Sequence, residues 1–121
     1  MEPFTATLEH DVSLLRGLRH SLSSWLEMSG VAAEARAGIV LATHEAAANA
    51  LRHGEGTHSP VTVTARPDGE GSLMVVVRND GSWKEPAPEP EREGRGLPLM
   101  RGLMSDVAVY PGTSVRMRKD L

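Results

Sequence analysis

Residues 45–54 read EAAANALRHG, small apolar residues interrupted by Glu45, Asn49, Arg52 and His53 and ended by Gly54. On a helix of about 3.6 residues per turn, Glu45 and Asn49 are stacked neighbours and Arg52 falls close to the same stripe. The opposite arc carries Ile39, Ala42, Ala46 and Ala50 and reads as core. The pattern predicts a helix from about residue 32 to His53, with Gly54 as its stop.

A solvated face with an ordinary ion pair accounts for the three polar residues taken alone. A carboxylate, an amide and a guanidinium in a row also suit magnesium–nucleotide chemistry. An amide oxygen completes the shell of a hard cation that keeps several waters. The carboxylate accepts a proton from an attacking hydroxyl or water, and the guanidinium neutralises phosphate.

Upstream, PFTATLE at 3–9 suits a short edge strand, and Asp11 stands where a helix N-cap is expected. Leu15, Leu18, Leu22 and Trp25 then mark an amphipathic helix, broken at Ser29-Gly30. Downstream, Pro60 opens VTVTAR, whose valines alternate with threonines as in a half-buried strand. After the turn at Asp68–Gly71, the unbroken run Leu73–Val77 predicts a central strand buried on both faces. Residues 82–95, with Pro86, Pro88 and Pro90 among Glu85, Glu89 and Glu91, read as a mobile loop. Gly94-Arg95-Gly96-Leu97-Pro98 leads into a short helix ending near Met104, with Pro98 in its first turn. Two strands, Asp106–Tyr110 and Ser114–Arg118, flank a Pro111-Gly112 turn. This order predicts one α/β (α+β) domain over residues 1–121: a two-layer sandwich with helices on one face of a mixed, mostly antiparallel sheet.

Two further motifs bear on chemistry. Val77-Arg78-Asn79-Asp80-Gly81 ends the central strand in a common turn sequence. It also offers Asn79 or Asp80 to an adenine amino group, with Gly81 permitting close approach. In GRGLPLM, glycines ahead of a helix can turn backbone N–H groups toward an anion.

Composition narrows the classes. The 121 residues include no cysteine, which excludes disulfides, thiolate metal sites and a cysteine nucleophile. Thirteen basic residues against sixteen acidic ones give a net charge of −3, so the overall field gives no pull toward nucleic acid. No apolar run approaches the ~20 residues of a membrane span. The lack of cysteine fits the cytoplasm, and the N-terminus, with Glu2, Glu9 and Asp11 and no basic start, does not look like a signal peptide. The five histidines show no metal-binding spacing, and the six methionines read as core filler.

Taken in chain order, HEAAANALRHG, VRNDGSW and GRGLPLMRGLMSDV resemble the GHKL ATPases (gyrase, heat-shock chaperone, histidine kinase and mismatch-repair ATPases). Within that superfamily they look like the small bacterial anti-sigma-factor serine kinases, in their actinobacterial ATP-binding form. The resemblance covers nearly the whole chain. It implies Glu45 as catalytic base and Asn49 as Mg²⁺ ligand, with Arg52 beside the phosphates. It implies Gly94, Arg95, Gly96 and Leu97 wrapping the phosphates, Asn79 and Gly81 at the adenine, and Thr113 at the same end. The implied cofactors are ATP and Mg²⁺. The implied partners are a sigma factor and an anti-anti-sigma antagonist that receives the phosphoryl group, with homodimer formation left open.

The chain departs from the family's Asp-x-Gly-x-Gly pattern at two places, Asn79 for the first Asp and Trp83 for the last Gly. Those departures support a second reading, a regulatory module that binds nucleotide or partners without phosphotransfer. A histidine kinase catalytic domain is a third, opposed by the lack of a dimerising hairpin upstream of residue 32.

Overall fold

The computed structural model describes residues 2–9, 11–53, 60–79, 90–110 and 114–121, with residues 53 and 90–95 described by backbone alone. Strand β1 spans Phe4–Leu8, helix α1 Leu14–Met28 and helix α2 Ala33–His53. Strands β2 (Val61–Pro67) and β3 (Ser72–Asn79) form a hairpin. Helix α3 (Pro90–Leu103) precedes β4 (Asp106–Tyr110) and β5 (Ser114–Asp120). The strands lie in the order β1-β2-β3-β5-β4, and every neighbouring pair is antiparallel. The helices pack on one face of this open sheet, as the order of elements predicts.

The two long helices follow from their apolar spacing. Leu15, Leu18, Leu22 and Leu26 bury one face of α1; each fully buried leucine contributes roughly 1.5–3 kcal/mol. Ile39, Ala42, Ala46, Ala47 and Ala50 bury the matching face of α2. Their small side chains let α2 approach both the sheet and its neighbouring helices. The one buried hydroxyl among them, Thr43 Oγ1, donates to the Ile39 carbonyl at 2.7 Å. Val61, Val63, Val75, Val77 and Met117 complete the core from the sheet. Trp25 joins α1 to the first strand, since its ring lies 6.1 Å from Phe4 and its Nε1–H donates to the Glu2 carbonyl.

The break at Ser29-Gly30 is a Schellman ending. Gly30 takes φ +82°, its N–H donates to Glu27, and Val31 N–H donates to Leu26. Positive φ favours glycine there, and the apolar Leu26 and Val31 are both buried, as this motif favours.

Three expectations are revised. Asp11 does not cap α1: its carboxylate accepts from the N–H of Ser13, the residue just before the helix, at 2.9 Å, and hydrogen bonding to Ser13, first by its side chain and then by this N–H, lowers the Asp11 pKa. Strand β3 is buried on one face only, with Leu73, Val75 and Val77 inside and Met74 and Val76 partly exposed. All three helices lie on one side, so nothing from them reaches the other. Helix α3 begins at Pro90 rather than Pro98, so residues 90–95 are helical and Pro98 lies inside the helix. The remainder of the expected loop, 82–89, lies outside the described residues.

Candidate functional site

The polar stripe on α2 faces the start of α3. Glu45 and Asn49 are half-buried, one turn apart, and Arg52 is exposed three residues further on. The Arg52 guanidinium donates to Asn49 Oδ1. From the other side, α3 closes against the same amide. A Cβ built on Gly96 would lie 2.7 Å from Asn49 Nδ2 and 3.7 Å from Met100 Cε, so only glycine fits without movement. At the far end of the contact, Gly38 of α2 faces Leu103 of α3. The pairings 38 with 103 and 49 with 96 run the two helices antiparallel, and the two glycines permit their close approach. Below them, Met100 and Met104 are buried.

Arg52 of α2 and Gly96 of α3, distant in sequence, therefore both meet Asn49. Leu97 follows, half-buried against the core. Asn79 is buried at the end of β3, 4% exposed and paired in register with Val61. Gly94 and Arg95 lie in α3, described by backbone alone. Gly81 and Thr113 fall outside the described residues.

Beside Glu45 the structure adds two residues with no signal in the sequence. His44 Nδ1 lies 3.4 Å from the Arg19 guanidinium of α1. Burial, followed by that guanidinium, pushes the His44 pKa down, against a smaller opposite pull from Glu45. Both effects favour the neutral form of the imidazole next to the candidate base. A contact across 25 residues leaves no periodicity to read.

The donor set fits a magnesium–nucleotide ligand: an amide oxygen, a guanidinium and a carboxylate along one helix, with a glycine-bearing segment pressed against the amide. The Histidine kinase-like ATPase domain description matches residues 8–119. The chain belongs to this family. An anti-sigma F factor of Heyndrickxia coagulans is 32% identical over 94 residues, an alignment spanning 64% of this chain and 64% of that protein. The crystal structure of the RsbU and RsbW domains of Rv1364c from Mycobacterium tuberculosis superposes with a TM-score of 0.82 at 26% identity. That match covers all of this chain and 33% of the other. Membership in the histidine kinase-like ATPase family assigns an ATP-binding type of domain, and α2 and α3 frame the candidate site at Asn49 and Gly96.

Gly96→Ala tests that frame. A methyl group gains helix propensity of about 1 kcal/mol, while its collision is with the tip of the Asn49 side chain, which can turn away. The expected result is a melting temperature within a few degrees of wild type and ATP affinity lowered about tenfold. Equal ATP affinity in variant and wild type, by calorimetry, removes this contact from the binding site.

Proposed function

We propose that this chain binds Mg-ATP and acts as an anti-sigma regulatory factor, sequestering a sigma factor and phosphorylating a serine on its anti-anti-sigma antagonist. The observation that carries the reading is the meeting of Asn49, Arg52 and Gly96 below Glu45. The anti-sigma F factor and the RsbW-containing structure support the regulatory part.

Asn49 would hold Mg²⁺ through Oδ1, and the ion, when bound, supplies charge shielding to the phosphates. In the ligand-free arrangement that oxygen is engaged by Arg52. Turning Arg52 to a phosphate frees it, so one movement provides both contacts. Glu45 accepts the proton of the attacking serine hydroxyl; positioning and charge do the remainder. Gly94–Leu97 lie within α3, so presenting their N–H groups to phosphate requires the turn ahead of Pro98 to open. Pro98 offers no N–H to Gly94 and its ring crowds that carbonyl, which makes this the weak point of the helix. ATP titration by calorimetry with and without Mg²⁺, followed by phosphoryl transfer from labelled ATP to candidate antagonists, tests the proposal. Absence of ATP binding under both conditions refutes it.

The second reading, a binding module without phosphotransfer, is favoured by Asn79, a buried amide where the family pattern carries Asp. If Asn79 faces the adenine amino group, Asn79→Asp adds charge to that hydrogen bond, worth about 1 kcal/mol or roughly fivefold in ATP affinity. GTP, with a carbonyl in place of the amino group, gains nothing. The buried carboxylate also lowers the stability of the ligand-free protein, because burial disfavours its charged form. Titrating both nucleotides into wild type and variant checks this, and equal tightening of both overturns the adenine assignment.

A further inference from the structure

The sheet face turned away from the helices has a chemistry of its own. Register places Thr64 and Arg66 of β2, Met74, Val76 and Arg78 of β3, and Arg116 of β5 side by side there. Together they line a cavity of about 290 Å³. Its floor is Met74 and Val76, and three guanidinium groups surround it. The Arg116 guanidinium is held 5.1 Å above the Tyr110 ring. Among the described residues, no carboxylate pairs with Arg66 or Arg116, whereas Arg118 on the same face is paired with Asp120 at 2.8 Å. The described strands put four arginines on this face against Asp106 and Asp120, in a chain whose net charge is −3.

A basic patch on an acidic protein, floored by partly exposed apolar side chains, is complementary to an acidic segment that also carries an apolar residue. Strands β2 and β5 flank β3, and Arg66 stands level with Met74 while Arg116 stands level with Val76, so the backbones bearing the two arginines lie diagonally about 12 Å apart. Three residues of extended chain span about 10–11 Å, and the long arginine side chains cover the small difference. We propose that this face docks an extended acidic segment of a partner protein, with carboxylates about three residues apart on Arg66 and Arg116 and an apolar side chain between them on Met74 and Val76. A second copy of this chain fits poorly, since its arginines would face these. Nucleic acid gains little from an apolar floor and meets a net negative protein. The surface lies on the opposite side of the sheet from Glu45 and Asn49, so the proposal does not rest on nucleotide binding.

The test uses the full chain and a fluorescent peptide of repeated Asp-Leu-Leu-Glu units, with Asp-Ser-Ser-Glu and Lys-Leu-Leu-Lys peptides as comparisons. Anisotropy is expected to show saturable binding of the first, weaker binding of the second and none of the third. Arg66→Glu combined with Arg116→Glu should weaken the first more than tenfold, while circular dichroism and ATP affinity stay as in wild type; Arg66→Lys with Arg116→Lys should retain part of the binding. Unaltered peptide binding by the charge-reversed variant overturns the proposal, as does no binding by wild type. A wild-type dimer in sedimentation velocity that the charge reversal dissolves makes a second copy the occupant and also overturns it. Tighter binding of an oligonucleotide or an anionic vesicle than of the peptide does the same.

Discussion

Glu45→Ala is expected to reduce serine phosphorylation by about 10²–10⁴-fold, the range a positioned general base contributes, while ATP affinity changes by less than about threefold. The separation follows from geometry. Asn49, one turn along α2, is the residue tied to both Arg52 and α3, whereas Glu45 makes neither contact among the described residues. Glu45 is thus free to meet an incoming hydroxyl without being needed to hold the nucleotide. Labelled phosphate transfer to the antagonist and ATP calorimetry on the same preparation measure the two effects. Glu45→Gln is the companion variant, since it keeps size and hydrogen bonding and removes only the basic group. Residual transfer carried by His44 would show a pH profile with its inflection below the ordinary imidazole range, because burial and Arg19 lower that pKa. Undiminished phosphorylation by both variants removes the base role from Glu45. Lost ATP binding in both makes Glu45 part of the nucleotide site instead.

Periodicity made the larger part of this architecture readable. The leucines of α1 recur at helical spacing and the valines of β2 at strand spacing, and both elements lie where those patterns place them. The stripe of Glu45, Asn49 and Arg52 was legible for the same reason, since stacking along a helix is a local property. What lay outside local pattern was less so. The run at 73–77 is apolar at every position, and no periodicity within it distinguishes two covered faces from one. Only the placement of three helices on one side decides that Met74 and Val76 stay partly exposed. The sequence predicts a helix with Pro98 in its first turn, because proline suits that turn and glycines suit a preceding loop. In the structure Pro90 opens the helix, and the methionines at 100 and 104 hold its second half on the core. The contact of Gly96 with Asn49 is non-local in the same way: nothing in either segment announces the other.

Asn49→Ala is expected to abolish the strengthening of ATP binding by Mg²⁺, lowering Mg-ATP affinity on the order of 100-fold if the amide oxygen is the ligand. Affinity for ATP without the metal should fall far less, since Arg52 remains to meet the phosphates. The variant also removes what holds Arg52 in the ligand-free protein and opens space beside Gly96. Both changes act in favour of nucleotide entry, so a loss seen with magnesium present cannot come from a blocked site. Because Asn49 is only half-buried, folding should be little affected, and a thermal melt checks that. Asn49→Asp separates the ligand role from the contact with Arg52. A carboxylate keeps an oxygen for Mg²⁺ and pairs more strongly with the guanidinium, so magnesium dependence should survive while Arg52 is released less readily and ATP binds more weakly without the metal. Calorimetric titrations of ATP into the three proteins, each with and without Mg²⁺, give six affinities. If magnesium strengthens binding equally in wild type and Asn49→Ala, the metal is held elsewhere, and the bond from Arg52 to Asn49 is a structural contact between turns of α2 rather than a place kept for a cation.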